Sequence, residues 1–225
     1  MSFLKIKICG ITNEADAKLA ASMGYDYIGM VFYEKSPRNV SLANSRKISH
    51  AVSGVVETVG VFVDEEDPSV ISKTAAKAGL NLVQLHGTTE TPEYCASLKN
   101  LLPPDVKIIR ALRISNDNSS PSEIIETIKS YQAQGAADYF LLDTFSDEAA
   151  GGTGIPFDWN IASEIIKNLS DAKIFISGGL GPDNVREAVE KLSPWGVDAS
   201  SRLERLPRRK DYDRMLAFIK EAKRL

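Results

Sequence analysis

The chain has 225 residues, 25% of them charged and 43% hydrophobic, with a formal net charge of −3; this is the make-up of a globular protein with a sizeable core, and at this length a barrel runs as one domain over 1–225. The charge balance gives no footprint for nucleic acid or acidic lipid, and no run of about 18 apolar residues offers a membrane span. Two cysteines and two histidines make neither a zinc site nor a disulfide framework, so no metal is expected, and a reducing, cytoplasmic setting without a targeting segment fits best.

Strand-like apolar runs recur at intervals of about 20–30 residues, each followed by a polar loop and a stretch of helical spacing. In chain order the spacing predicts strand Lys5–Cys9, helix Asn13–Met23, strand Tyr27–Phe32, helix Ala43–Val52, strand Thr58–Val63 and helix Ser69–Ala78. Strand Leu82–Leu85, helix Pro92–Leu102, strand Lys107–Ala111, helix Ser122–Gln134, strand Tyr139–Leu142 and helix Trp159–Asn168 follow. Strand Lys173–Ile176, helix Asp183–Leu192, strand Gly196–Ala199 and helix Tyr212–Lys223 close the series.

Local signals mark several of these boundaries. Thr12 or Asn13 can cap the first helix, Thr91-Pro92 pairs a cap with proline at the first helical position, and Gly24, Gly79 and Gly135 suit left-handed helix ends. Asp64-Glu65-Glu66-Asp67 reads as a solvated cap. The basic cluster Arg205–Lys210, beside Asp211 and Asp213, reads as a solvated loop or a patch near a phosphate. The loop Arg113–Pro121 is the most polar. Cys95 falls in a helical pattern as packing.

Parallel strands each followed by a helix either close into a barrel or stay an open doubly wound sheet. Even spacing, and the absence of G-x-G-x-x-G after the first strand, favour a single-domain (β/α)8 TIM barrel. In that fold chemistry sits at the C-terminal ends of the strands. Those ends hold Cys9, Arg38, Asp64, His86-Gly87, Asp143-Thr144, Ser177–Leu180 and Asp198–Ser201.

Period two puts Cys9 on the strand face of Lys5 and Lys7, opposite Ile6 and Ile8. Lys7 and the helix opening at Asn13 are then placed to favour the thiolate, and Lys7 would approach Asp198 across the seam of a closed barrel. A buried, inert thiol is the alternative. Asp143 ends an apolar strand, where it either holds a proton for donation or caps the amides around Thr144. His86 is a catalytic group or a hydrogen-bonded wall residue, with the wall favoured. Gly178, Gly179, Ser200 and Ser201 suit a phosphate held between the last two loops, or a turn that merely needs positive φ.

Taken in order, Lys7–Thr12, Gly29–Phe32 with Lys35–Arg38, Val59–Val63, Val83–Gly87, Leu141–Thr144, Gly151–Gly154 with Phe157–Trp159, Ser177–Leu180 with Asn184-Val185, and Gly196–Ser201 closely resemble the phosphoribosylanthranilate isomerases of tryptophan biosynthesis, from end to end. The resemblance implies an Amadori rearrangement of N-(5-phosphoribosyl)anthranilate without a cofactor. It makes Asp143 the general acid at the furanose ring oxygen and Cys9 the general base at C2′, with a raised acid and a depressed thiol as the matching perturbations. It also implies that Arg38 anchors the anthranilate carboxylate, that Gly178, Gly179, Ser200 and Ser201 hold the phosphate, and that Gly151–Gly154 closes over the substrate. His86 and Asp198 complete the expected substrate-binding set.

One departure stands out, because Arg202 occupies the position after Ser200-Ser201 where the family usually has glycine. Its guanidinium either disturbs the backbone approach to phosphate or adds a charge-assisted contact, the second being favoured. The only expected partners are a small phosphorylated substrate and, in a homodimer, a second copy; a monomer is equally open. Another phosphosugar barrel enzyme, such as a histidine-route isomerase or synthase, and a silent phosphate-binding barrel are the competing readings.

Overall fold

The computed structural model describes residues 4–114, 120–144 and 159–224. Its elements are β1 (Lys5–Ile8), α1 (Glu14–Met23), β2 (Tyr27–Phe32), α2 (Leu42–Ala51), β3 (Glu57–Phe62), α3 (Pro68–Ala78), β4 (Leu82–Leu85), α4 (Pro92–Leu101) and β5 (Lys107–Ile114). They continue with α5 (Pro121–Ala133), β6 (Tyr139–Thr144), α6 (Trp159–Asn168), β7 (Ile174–Ser177), α7 (Val185–Leu192), β8 (Gly196–Ala199), a hairpin of β9 (Glu204–Leu206) and β10 (Arg209–Lys210), and α8 (Tyr212–Ala222). Strands β1 to β8 pair in chain order and close into a barrel. The closing seam is parallel, with Lys5↔Gly196, Ile6↔Val197, Lys7↔Asp198 and Ile8↔Ala199 in register.

The caps behave as their residue types require. Asn13, Thr91 and Asp67 accept from the amides of Asp16, Tyr94 and Ser69 at the starts of α1, α4 and α3, and Gly24 and Gly79 end α1 and α3 at φ of 83° and 65°. Strands β5 and β6 run past their expected ends to Ile114 and Thr144, since their register continues through Arg113↔Asp143 and Ile114↔Thr144.

Alternation along each strand divides the core in two. Ile6, Ile8, Ile28, Met30, Ile108 and Phe140 belong to the larger cluster, packed with helix residues such as Ile71 and Ile128. Tyr27, Val59, Leu82, Ile109, Leu141 and Phe175 form the second, which fills the barrel. Tyr139 and Trp195, at the N-terminal ends of β6 and β8, lie against Phe175 at ring distances of 6.3 and 4.9 Å. The N-terminal end is thus an aromatic floor, which leaves the C-terminal mouth for polar side chains.

Two features depart from the expectations. The basic cluster is not a solvated loop: it folds as the β9–β10 hairpin, and Lys210 turns inward to 5% exposure. Asp64 does not cap α3; its Oδ1 accepts from the amides of Thr88 and Thr89 at 2.7 and 3.1 Å, and those bonds hold its carboxyl below the usual range. The loop after β4 is held from below as well. Buried Arg110 donates through Nη1 to Leu85 O, Gly87 O and Ala111 O at 3.0, 3.1 and 2.9 Å, and lies 3.5 Å from Glu90. Glu90 Oε1 in turn accepts from the Asp64 and Gly87 amides at 3.0 and 3.1 Å.

Because Glu90 is 1% exposed, removing its counter-charge strands a buried carboxylate. Arg110→Met is expected to lower the unfolding free energy in urea by about 3–5 kcal/mol. A loss below about 1 kcal/mol, the range of an exposed pair, would contradict this account of the loop.

Candidate active site

Cys9 follows β1 directly, and its amide still bonds Ala199 O at 2.9 Å across the seam. Its thiol faces β2, where Gly29 makes room: a Cβ at that position would meet Cys9 Sγ at 2.9 Å. Below it, Lys7 Nζ bonds Asp198 Oδ2 at 2.8 Å, with side-chain exposures of 0% and 5%. Asp198 Oδ1 is buried and has no hydrogen-bond partner among the described residues.

The electrostatics of the thiol run against the expectation. Burial is the largest influence and pushes the Cys9 thiol up, with Asp198 adding to it; the Lys7 and Lys210 ammoniums and the Gly10 amide pull the other way without prevailing. Counting the nearby cations without the loss of solvent gives the wrong sign. For Lys7, burial works toward the neutral amine, but Asp198 and Cys9 overcome it and hold the ammonium above its ordinary value.

Across the mouth, Asp143 Oδ2 lies 3.0 Å from His86 Nε2, and His86 Nδ1 lies 3.0 Å from Gln84 Nε2. The Gln84 amide, the His86 ring and the Asp143 carboxyl thus form one hydrogen-bonded chain across β4 and β6. His86 is hydrogen-bonded through both ring nitrogens, beside the Asp143 carboxyl. His86 engages this carboxyl through Oδ2.

Arg38 lies over the start of the loop after β1. Gly10, at φ +80°, lacks the Cβ that would come within 2.5 Å of Arg38 Cδ. The guanidinium bonds Glu204 in a fork, Nε to Oε1 at 2.8 Å and Nη2 to Oε2 at 2.6 Å, and this hydrogen bonding holds it above the ordinary arginine value. Burial would raise the Glu204 carboxyl, but Arg38 and Lys210 together hold it low. Lys210 Nζ reaches Glu204 Oε1, Cys9 O and Ser200 O at 3.2, 2.6 and 3.1 Å, and burial pulls this amine down despite Glu204.

At the other rim, Gly178 and Gly179 both take positive φ, 90° and 66°. Around Gly179 a Cβ would meet nothing within 4 Å, so backbone conformation and not crowding requires that glycine. Ser200 Oγ donates to Cys9 O at 3.1 Å, and Ser201 opens a 3-10 turn through Leu203. Arg202 bridges the two loops, with Nη1 on Gly179 O at 2.9 Å and Nη2 on Asp183 at 2.7 Å.

The structure thus gathers Cys9, Asp198, Arg38 and Ser200 on the β1–β8 side, Asp143 and His86 on the β4–β6 side, and Gly178, Gly179 and Arg202 over β7. Gly151–Gly154, Phe157, Asp158 and the 115–119 part of the polar loop lie outside the described residues. Lys210, Glu204 and Gln84 carry no signal of their own in the sequence; only the pairing of Gln84 and His86 two residues apart on one strand face hinted at a contact. Cys95 is buried in α4, its thiol pushed up to about 12 by burial, as suits packing.

A family described as N-(5′phosphoribosyl)anthranilate (PRA) isomerase matches residues 6–221. The chain is 42% identical over 219 residues to N-(5′-phosphoribosyl)anthranilate isomerase of Rubrobacter xylanophilus, covering 97% of this chain and 98% of that one. It is similar to the crystal structure of phosphoribosyl anthranilate isomerase from Thermotoga maritima, with a TM-score of 0.85, 38% identity and coverage of 99% and 100%. A structure of the enzyme in complex with reduced 1-(o-carboxyphenylamino)-1-deoxyribulose 5-phosphate matches with a TM-score of 0.80 and 37% identity, over 99% and 100% of the two chains.

Lys7→Met removes an ammonium that pulls the thiol down. In a Cys95→Ala background, thiolate absorbance is expected to titrate at higher pH in Lys7→Met than in its parent. An unchanged titration would show that the amine does not act on the thiol.

Proposed function

The chain belongs to the N-(5′-phosphoribosyl)anthranilate isomerase family, and on that premise we propose that it performs the Amadori rearrangement of phosphoribosylanthranilate with Asp143 as general acid and Cys9 as general base. The reaction needs a proton donor and a proton acceptor on either side of one sugar, with its two anionic ends held apart. What carries the reading is that Cys9 and Asp143 both stand at C-terminal strand ends on the face of their strands that lines the barrel, since Lys7 on β1 and Leu141 on β6 share that face.

In the first half, Asp143 gives its proton to the furanose ring oxygen. The C1′–O bond breaks as the nitrogen lone pair forms a C1′=N iminium, leaving Asp143 as a carboxylate beside His86. In the second half, the Cys9 thiolate takes the C2′ proton, and the C–H electron pair moves to C1′=C2′ as the iminium becomes an enamine. The enol at C2′ then becomes a ketone as its O–H proton is released and C1′ gains a proton; the protons added at the ring oxygen and C1′ match those removed from C2′ and the enol oxygen, so the product has the composition of the substrate.

Arg38 pairs with the anthranilate carboxylate, for which a planar guanidinium fork is suited. The Gly178-Gly179 and Ser200-Ser201 backbones take the phosphate, and Arg202, tied to Asp183, either adds a contact to that anion or only fixes the two loops. His86 keeps Asp143 oriented, and Asp198 acts through Lys7.

The test is turnover of freshly prepared phosphoribosylanthranilate, followed by loss of its fluorescence. Cys9→Ser and Asp143→Asn are each expected to lose about 10²–10⁴ in kcat while still binding the reduced product analogue. Because the thiol lies above its ordinary value, kcat/KM of the parent enzyme should rise with pH toward the thiol's titration, a limb absent from Cys9→Ser. A near-full rate in either variant would remove that residue from its role.

A further inference from the structure

The bonds around Glu204 join parts of the site that the reaction scheme treats separately. A guanidinium carries five N–H donors in a planar fork. Glu204 takes one edge of Arg38, through Nε and Nη2, so the Nη1/Nη2 edge is left, and Nη1 has no hydrogen bond among the described residues. Arg38 is also the member of the network that reaches solvent, with 21% side-chain exposure against 4% for Glu204 and 0% for Lys210.

Glu204 is fixed from behind. Lys210 bonds its Oε1 and, with the same ammonium, the carbonyls of Cys9 and Ser200, while Arg214 Nη1 donates to the Glu204 carbonyl at 2.7 Å. The β9–β10 hairpin grips the Arg38 loop a second time, since Arg208 Nη1 donates to Pro37 O and Asn39 O at 2.8 and 3.2 Å. A buried carboxylate between two cations has one stable place, because a shift toward either leaves the other uncompensated.

We propose that Glu204 is the positioning residue for recognition of the substrate carboxylate: it clamps one edge of Arg38 so that the other edge faces the aromatic acid. The inference rests on Arg38 being the carboxylate anchor. Glu204 acts through Arg38 and touches no reacting atom. A competitor for Arg38 would occupy the edge that the substrate needs, whereas Glu204 leaves a complete edge open. Through Lys210 the same carboxylate is tied to the backbone of the base and of the phosphate loop, so the position of the anchor is set relative to both.

The test compares two inert ligands by calorimetry: the reduced carboxyphenylamino-deoxyribulose phosphate and its phenylamino counterpart without the carboxylate. Glu204→Gln is expected to weaken the first by about tenfold or more and the second by less than about twofold, and to lower kcat/KM chiefly through KM. Arg38→Met should remove the preference for the carboxylate, and adding Glu204→Gln to it should cause no further loss. Equal weakening of both ligands, no change, or tighter binding of the first in Glu204→Gln would overturn the proposal. If Arg38→Met leaves the preference intact, the anchor assignment itself fails, a result distinct from failure of Glu204 alone. Should Glu204→Gln not fold, Glu204→Asp, which keeps the charge but shortens the reach, gives the same comparison with the same outcomes.

Discussion

A salt bridge sealed inside the barrel, from Lys7 to Asp198, is the constraint on which the rest of the molecule depends. The two residues are register partners on the first and last strands, and neither charge is tolerable at that depth without the other. The pair therefore favours one closure of the barrel, in which the strand leading to Cys9 lies beside the strand leading to Ser200 and Ser201. Closure of the barrel at this seam places the β1 and β8 parts of the site side by side. The same ammonium stands next to the thiol, so a residue that stabilises the seam also acts on Cys9.

Around the mouth a second pattern repeats. Cations bond the carbonyls of loops that carry functional groups: Arg110 those of Leu85 and Gly87, Lys210 those of Cys9 and Ser200, Arg202 that of Gly179, and Arg208 those of Pro37 and Asn39. Each cation is balanced by a carboxylate or reaches solvent, so the loops are held without leaving charge stranded in the interior. Donors and acceptors fixed in this way before substrate arrives need little reorganisation during reaction. The aromatic floor of Tyr139, Phe175 and Trp195 keeps the opposite end apolar, which confines this polar scaffold to one face.

Much of the fold was legible because its physics is periodic. Alternation put Cys9 with Lys7 and set Lys7 opposite Asp198 once the barrel closed, and repeated strand and helix spacing made closure the better solution. The family motifs supplied the roles proposed for Asp143, Arg38 and the Gly178-Gly179 and Ser200-Ser201 loops. Other parts carried no such signal. A charge bound for burial looks, in one dimension, like a charge bound for solvent, so Lys210 was hidden in a basic cluster and Glu204 beside it. Their partners lie far away in the chain, as with Arg38 and Glu204. The β9–β10 turn uses Arg208 at φ 73° instead of glycine, so the hairpin lacked its usual mark. The direction of the thiol is not legible in the sequence for a related reason: neighbouring lysines can be counted along a strand, whereas loss of solvent cannot.

The account stands on a thiol and a carboxyl, supplied by the first and sixth strands, reaching one sugar from two sides. A crystal structure of this protein with the reduced carboxyphenylamino-deoxyribulose phosphate measures that arrangement directly. The account predicts Cys9 Sγ against C2′ and Asp143 Oδ1 within about 3.2 Å of the hydroxyl derived from the ring oxygen, on opposite faces of the chain. A ligand lying with both groups on one face, or with either group turned out of the mouth, would contradict it.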